Sequence, residues 1–139
     1  MFTKKFPDTL QISILEYSAI AYFKKNKLIY LINDNFKNSL IDNNANLENL
    51  IEVKNMKNMK DFKTFFLKIT NEDVFFSKIK VINYIHDGRW DVVLKNGQLI
   101  KLGNYNLNKQ VKYLNFILNN QTAKIIDLRY EGRVILANE

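Results

Sequence analysis

The sequence predicts an α+β domain in which a mainly antiparallel sheet carries two packed helices. The first observation is a pair of dipeptides, Asp87-Gly88 and Asn96-Gly97, each lying between apolar runs. Such dipeptides favour two-residue hairpin turns. The second observation is that residues 61–69 and 107–118 carry apolar side chains at helical spacing. The third is that residues 124–137 alternate like two strands around a turn. Strands in runs, separated by single helices, are typical of the α+β class.

Composition narrows the class of protein. The 139 residues suit one compact domain, or one domain plus a fragment of another. Hydrophobic residues make up 47% of the chain, enough for a core, so disorder is excluded. No run of about 18 apolar residues is present, and we therefore predict no membrane-spanning segment in this chain. The absence of cysteine excludes disulfides and thiolate metal sites, and it fits an oxidising compartment.

The net charge of +7 allows two interpretations. A basic domain can bind nucleic acid or anionic lipid. Here the lysines are scattered along the chain, which favours a solvated surface with a lysine excess. We therefore predict no nucleic-acid partner, but a basic nucleic-acid-binding domain remains the alternative. It requires that five lysines converge on one face: Lys24, Lys25, Lys27, Lys54 and Lys57.

The amino-terminal quarter reads as strands. Residues 9–17 alternate between apolar and polar, which predicts a strand. Residues 19–23 continue in extended form, and the polar residues 24–27 predict a turn into a second strand at 28–32.

The next stretch contains a loop and the first helix. Residues 33–46 are rich in Asn and Asp and are predicted to be loop. Residues 47–59 are ambiguous and are interpreted as a helical turn followed by a charged connection. Residues 61–69 predict a short amphipathic helix. Its apolar stripe is interpreted as core and contains Phe62, Phe65, Phe66 and Ile69.

The two dipeptides define a three-stranded meander. Its predicted strands are residues 78–86, 89–95 and 98–103. Both dipeptides suit a type I′ turn, which needs a positive φ at its two central positions. The register that follows pairs Ile85 with Trp90, Val81 with Leu94, and Leu99 with Leu94.

The carboxy-terminal part is predicted to be a helix followed by a strand pair. Asn106 is a plausible N-cap for a helix of about three turns. In the strand that follows, Ile126, Leu128 and Tyr130 share one face, and Glu131-Gly132 forms the turn. A strand pair at a chain terminus often lies at a sheet edge, where unpaired backbone groups can capture another chain.

The search for catalytic chemistry finds no constellation. His86 is the only histidine, and its neighbour Asp87 is expected to point to the opposite face of the strand. One histidine without cysteine does not make a typical zinc site. No nucleophile elbow and no glycine-rich phosphate loop is present. We therefore predict that the protein is not an enzyme and uses no cofactor or metal.

Two groups of residues are candidates for binding. Arg129 and Arg133 bracket Tyr130, and this cluster is either a solvated turn or a protein interface. Tyr, Trp and Arg are the residue types enriched at binding hot spots. Arg89-Trp90 is either a stacking pair for nucleic acid or a hairpin anchor, and we favour the anchor.

Three segments together resemble a known family. The sequences RWDVVLKNGQLIKLG at 89–103 and IIDLRYEGRVIL at 125–136, separated by a helix, resemble the C-terminal β domain of FtsQ, called DivIB in Gram-positive bacteria. The sequence FPDTLQISILEYSAIAYF at 6–23 is similar to the last strand of the family's POTRA domain. The resemblance thus implies the end of a truncated POTRA-like domain at 1–24 and an FtsQ-type β domain at 25–139.

The resemblance implies a non-enzymatic scaffold of the bacterial divisome. Such proteins are single-pass proteins of the cell inner membrane, with this region in the periplasm at the division septum. They bind FtsB and FtsL and help to control septal peptidoglycan synthesis, and FtsB adds a strand at the C-terminal edge strand. The residues implied in partner binding are Arg129, Tyr130, Glu131, Gly132, Arg89 and Trp90. The family's membrane helix lies upstream of the matching segments, so the resemblance implies either a fragment or a chain that is read from an internal Met.

Overall fold

A computed structural model describes residues 19–70, 73–120 and 122–138, and it confirms the α+β class with a mostly antiparallel sheet. The strands described are β1 (Ala19–Lys25), β2 (Leu28–Asn33), β3 (Asn38–Ile41), β4 (Ile51–Lys54), β5 (Ile79–His86), β6 (Arg89–Leu94), β7 (Leu99–Leu102), β8 (Ile125–Leu128) and β9 (Ile135–Ala137). The helices described are α1 (Met59–Ile69), the single-turn α2 (Asp73–Phe76) and α3 (Leu107–Asn120).

The chain divides into two compact units, Met1–Glu52 and Val53–Glu139. The predicted strand at 9–17 lies outside the described residues, and the predicted domain boundary after residue 24 stays a prediction. No helix in the described ranges is long and apolar enough to cross a bilayer.

In the first unit, β1 and β2 form the predicted hairpin, with Asn26 and Lys27 both at positive φ in its turn. The other side of β1 pairs in parallel with the start of β4, Ala21 opposite Ile51.

The prediction of a continuous loop over 33–46 was wrong, because β3 folds back on β2 and pairs Leu40 with Tyr30. The side chain of Asn33 explains the reversal, since its Oδ1 accepts hydrogen bonds from the backbone N–H of Asn35 at 2.9 Å and of Lys37 at 3.0 Å. This Asx-type turn brings the chain back after only four residues. The ambiguous segment 47–59 contains β4, whose buried Ile51 and Val53 alternate with charged residues.

In the second unit the strand order is β5-β6-β7-β8-β9, and only β7 and β8 run parallel. A parallel neighbour requires a crossover, and α3 provides it. One face of this sheet is the core, where Val92, Ile100 and Ile126 stand in register on adjacent strands and are fully buried.

Helix α1 forms as predicted and begins two residues earlier than the apolar stripe indicates. Asn58 is its N-cap, and its Oδ1 accepts a hydrogen bond from the N–H of Asp61 at 2.8 Å. All four residues of the predicted stripe are buried. Phe65 stacks on Trp90 of β6 with ring centroids 4.9 Å apart, so the helix lies on the core face of the sheet.

The predicted register of the β5–β6 hairpin was wrong by one residue. Asp87 and Gly88 do have the positive φ values of a type I′ turn, but a bulge follows, and Trp90 pairs with Tyr84 instead of Ile85. Val81 consequently pairs with Val93 instead of Leu94. The Tyr84 ring meets Trp90 edge-on at 5.0 Å, and its hydroxyl accepts a hydrogen bond from the N–H of Gly88. The free energy gained by burying this aromatic pair exceeds the cost of interrupting the hydrogen-bond ladder with a bulge.

The β6–β7 connection also differs from the predicted two-residue turn. Only Gly97 of its dipeptide has a positive φ, and the N–H of Gly97 bonds to the carbonyl of Leu94 at 2.9 Å. The N–H of Leu94 bonds in turn to the carbonyl of Gln98 at 2.9 Å. This is a three-residue hairpin loop with a glycine bulge. The register therefore shifts by one, and Leu99 pairs with Val93 instead of Leu94.

Candidate partner-binding edge

The predicted strand pair forms at one edge of the sheet in the second unit. β8 lies between β7 and β9, and β9 pairs antiparallel with β8, Asp127 opposite Ile135. The strand pair therefore lies at the sheet edge, as expected, with β8 enclosed on both sides and β9 outermost. Among the described residues, no strand pairs with the outer side of β9. The free edge is thus the short strand Ile135–Ala137.

The hydrogen-bond pattern identifies which backbone groups of β9 face outward. The carbonyl of Lys124 accepts from the N–H of Leu99 in β7, and so the backbone groups of Ile126 also point towards β7. Backbone groups alternate sides along a strand, which leaves those of Ile125 and Asp127 to bond with Ala137 and Ile135. By the same alternation, the N–H and C=O of the intervening residue, Leu136, point away from the sheet.

The side chains along this edge are apolar and exposed. Leu136 is 42% exposed and Ile135 39% exposed. Their side chains lie on opposite faces of the sheet, since successive residues of a strand alternate. A strand that pairs with β9 would therefore meet an apolar side chain on each face.

The connection from β8 to β9 is wider than the predicted tight turn. β8 ends at Leu128, and a β-turn spans residues 130–133, with the N–H of Arg133 bonded to the carbonyl of Tyr130 at 3.2 Å. Gly132 is the second central residue and has a φ of 79°, as a type II turn requires. Tyr130 is therefore outside the strand and 46% exposed, contrary to the prediction that it shares a face with the buried Ile126 and Leu128.

Arg129 is fixed by Asp127. Its Nε and Nη2 donate to the two carboxylate oxygens of Asp127, with the shortest contact 2.7 Å, and its backbone N–H donates to Oδ1 at 3.0 Å. Asp127 is buried, which alone would raise its pKa. The hydrogen bonds from the side chain and backbone of Arg129 outweigh burial and hold the pKa of Asp127 below its usual value.

Tyr130 lies between two guanidinium groups. The centre of the Arg129 guanidinium is 5.4 Å from the Tyr130 ring centroid, and that of Arg133 is 5.1 Å away. Both distances are within the range of cation–π attraction. The turn thus presents a preformed aromatic and basic cluster beside the edge strand.

Arg89 and Trp90 lie apart from this cluster, on β6. Trp90 is only 4% exposed and packs against Phe65 and Tyr84 in the core. The Nη1 of Arg89 donates to Asp91 at 2.6 Å and to the carbonyl of Leu102 at 3.3 Å. β7 and β8 separate β6 from β9. The structure therefore brings Arg129, Tyr130, Glu131 and Gly132 together and leaves these two residues as supports of the meander.

Sequence reasoning overlooked the buried polar residues that support the edge. Asp127 and Gln110 are 6% and 2% exposed, respectively. A signal for Gln110 was available, because it lies three residues after Leu107 and four before Leu114, within the apolar stripe of α3. A polar residue in such a stripe is expected to be buried and to make specific hydrogen bonds.

The structure offers no catalytic arrangement in its described part. His86 and Asp87 are not on opposite faces as expected, because Asp87 lies in the turn, and His86 Nδ1 is 3.2 Å from its carboxylate. Both side chains are strongly exposed, 70% and 91%, which is unlike a tuned acid–base pair. No group of three or more metal-ligating side chains occurs among the described residues.

Comparison with known proteins adds two similarities. Residues 21–129 match the family model described as "Cell division protein FtsQ/DivIB, C-terminal". The chain is also 24% identical, over 136 residues, to a protein of Rickettsia conorii named cell division protein FtsQ. That alignment covers 94% of this chain and 51% of the relative, so the chain spans about half the relative's length.

Proposed function

Because this chain belongs to the FtsQ/DivIB family of cell division proteins, we propose that it is a scaffold domain of the divisome that binds FtsB and FtsL through β9. In this proposal a segment of FtsB adds a strand to the outer side of β9, and the complex helps to control septal peptidoglycan synthesis. The full-length protein is held in the inner membrane by a single span, with this region in the periplasm.

The observation that carries the proposal is the outward-facing backbone of Leu136 beside two exposed apolar side chains. Soluble proteins usually protect such an edge with charge, proline or a covering loop. An edge that is apolar and uncovered is suited to strand addition, in which main-chain hydrogen bonds supply affinity.

The neighbouring turn supplies specificity. Tyr130 is a large exposed aromatic held in place by two guanidinium groups, so little side-chain entropy is lost when a partner contacts it. Arg133 has its positive charge at the end of the free edge, where an acidic side chain of the added strand would complement it. Binding and positioning are the only tasks this proposal assigns, and it includes no reaction and no cofactor.

The test is a proline placed at the outward-facing residue. Leu136→Pro removes the N–H that would bond to FtsB but leaves the bonds of Ile135 and Ala137 to β8, and proline is tolerated on edge strands when its nitrogen faces outward. We expect FtsB affinity, measured by calorimetry, to fall at least about tenfold with the loss of one bond and its pairing geometry.

Two controls make this result specific. Leu136→Ala removes most of the side chain but keeps the N–H. It therefore distinguishes the contribution of apolar contact to FtsB affinity from that of backbone pairing. Ile135→Pro removes an inward N–H and should detach β9 from β8, visible in amide NMR spectra. If Leu136→Pro binds FtsB like the wild type while its spectrum shows β9 intact, the proposal is wrong.

A further inference from the structure

A tyrosine outside the sheet holds the end of β8. The hydroxyl of Tyr105, in the loop between β7 and α3, donates a hydrogen bond to the carbonyl of Leu128 at 2.7 Å. Leu128 is the last residue of β8, immediately before the turn that carries the basic cluster. A tyrosine hydroxyl is protonated at neutral pH and can donate. Burial, together with the negative charges of Glu131 and Asp127, raises the pKa of Tyr105 further.

A buried glutamine fixes the loop that carries this tyrosine. The Oε1 of Gln110 accepts from the N–H of Gly103 at 2.9 Å, and its Nε2 donates to the carbonyls of Gly103 at 3.0 Å and Tyr105 at 2.8 Å. Gln110 belongs to the first turns of α3 and is almost fully buried. Its side chain therefore ties residues 103–105 to the helix.

A close backbone approach completes the connection. A Cβ atom at Gly103 would lie 2.8 Å from the carbonyl oxygen of Arg129 and 2.8 Å from the ring of Tyr105. Both distances are shorter than real side chains tolerate, so only glycine fits without movement. The backbone of the terminal turn thus rests directly on the loop that Gln110 holds.

A pocket lies beside α3 and the turn. Its volume is about 120 Å³, it is partly open to solvent, and its lining includes Tyr105, Gln110, Tyr113, Gly132 and Val134. At this place the hydrogen bonds of Gln110 tie the helix to residues 103–105, and the hydrogen bond of Tyr105 ties that loop to the end of β8.

We propose that Tyr105 and Gln110 are positioning residues that hold the connection between β8 and β9, residues 129–134, and through it β9, in the arrangement that accepts a partner strand. Neither residue needs to touch the partner. The consequence for FtsB rests on the proposed function, whereas the effect on the turn and β9 does not.

The first test uses the partner-free chain. Tyr105→Phe keeps the ring and removes one hydrogen bond, and we expect amide hydrogen exchange at residues 129–137 to accelerate about fivefold, the factor that follows from the net contribution of one neutral hydrogen bond. Exchange in β5 and β6 should be unchanged. A loss of global stability would instead accelerate exchange in these strands as well as at residues 129–137. Tyr30→Phe, in β2 of the first unit, is the matched control and should change neither.

A second variant tests the loop without touching the hydroxyl. Gly103→Ala keeps both positioning side chains but pushes the Arg129 carbonyl and the Tyr105 ring away from residue 103, and it should accelerate exchange at the same residues. Unchanged exchange at 129–137 in both variants would overturn the positioning role. A third measurement is the dissociation rate of FtsB, which should rise in parallel in both variants. Failure of the wild-type chain to bind FtsB would overturn the proposed function alone, because the exchange result stands without a partner.

Discussion

The pairing of Asp127 with Arg129 shows how a charged residue is tolerated inside a four-residue strand. Asp127 is 6% exposed and stands between Lys101 on β7 and Ile135 on β9. An unpaired carboxylate at such a place would cost several kcal/mol of desolvation, but its hydrogen bonds to Arg129 compensate. The pair also explains why Arg129 is less available to a partner than the sequence indicated, and why Arg133 is the more accessible cation.

The first prediction concerns pH. The pKa of Asp127 is lower in the folded chain than its unfolded value of about 3.9, so its contribution to stability is present above that value and is lost as the pH falls through the folded-state pKa. We expect the urea midpoint of the wild type to drop more steeply below about pH 4 than that of Asp127→Asn.

At pH 7 the Asp127→Asn variant should be less stable by about 1 kcal/mol, a low value for a charged hydrogen bond because Arg129 is partly exposed. The exposed Asp34→Asn is the control. If the urea midpoints of the wild type and Asp127→Asn fall in parallel between pH 5 and 2, the pair of Asp127 and Arg129 does not contribute to stability.

Part of this site was visible in the sequence. The DLRY segment and the turn glycine identified residues 129–132, because a short alternating strand followed by a glycine is a local pattern. The bond from Tyr105 to Leu128 was not visible, since the two residues are 23 positions apart and only the crossover through α3 brings them together. Nor did the pattern distinguish the outward-facing Leu136 from its inward-facing neighbours, because that depends on the pairing of β8 with β7.

At the scale of elements, local signals fixed the identity of strands and helices, whereas tertiary contacts fixed their register. Helix α1 follows from its cap and its four-residue apolar stripe. The two hairpins follow from their glycines. Their registers depend on the contact between Tyr84 and Trp90 and on the extra residue before Gly97, neither of which a turn dipeptide encodes. β3 and β4 were missed because four-residue strands carry too few alternations to stand out from a polar loop.

The second prediction concerns the turn between β8 and β9. Gly132 has a φ of 79°, and a Cβ there would meet no atom within 4 Å, so the cost of Gly132→Ala is purely conformational. We expect a loss of about 1 kcal/mol, measured as a lower thermal midpoint.

Gly97→Ala is a matched control, since Gly97 also has a positive φ and open space, but it lies in the β6–β7 loop. Both variants should lose similar stability, and only Gly132→Ala should also weaken FtsB binding. Equal FtsB binding by the two variants would show that the turn between β8 and β9 does not contribute to recognition.

At the scale of the molecule, the second unit holds a core of its own. Its buried side chains come from α1, α3 and the four consecutive strands β5 to β8, and include Phe62, Ile82, Val92, Ile100, Leu114 and Ile126, all at 0% exposure. A group of elements that buries its apolar surface internally meets the usual condition for independent folding.

We therefore predict that a chain of residues 53–139 folds alone. Its amide NMR spectrum should overlay that of the whole chain at β6 to β9, and it should unfold in one cooperative transition. A spectrum with poorly dispersed amide signals would show that the first unit is required for folding. Binding of FtsB by this shorter chain would locate the whole interface in the second unit.

The parallel pairing of β7 with β8 has a consequence for biogenesis. β8 has no place to dock until the α3 crossover has closed, and β9 in turn needs β8 as its template, so the final strand is assembled after the rest of its sheet. A chain cut short before residue 135 lacks β9 and therefore lacks this edge. The edge that we assign to recruitment thus depends on a sheet that has already closed, and its presence reports that the second unit has folded.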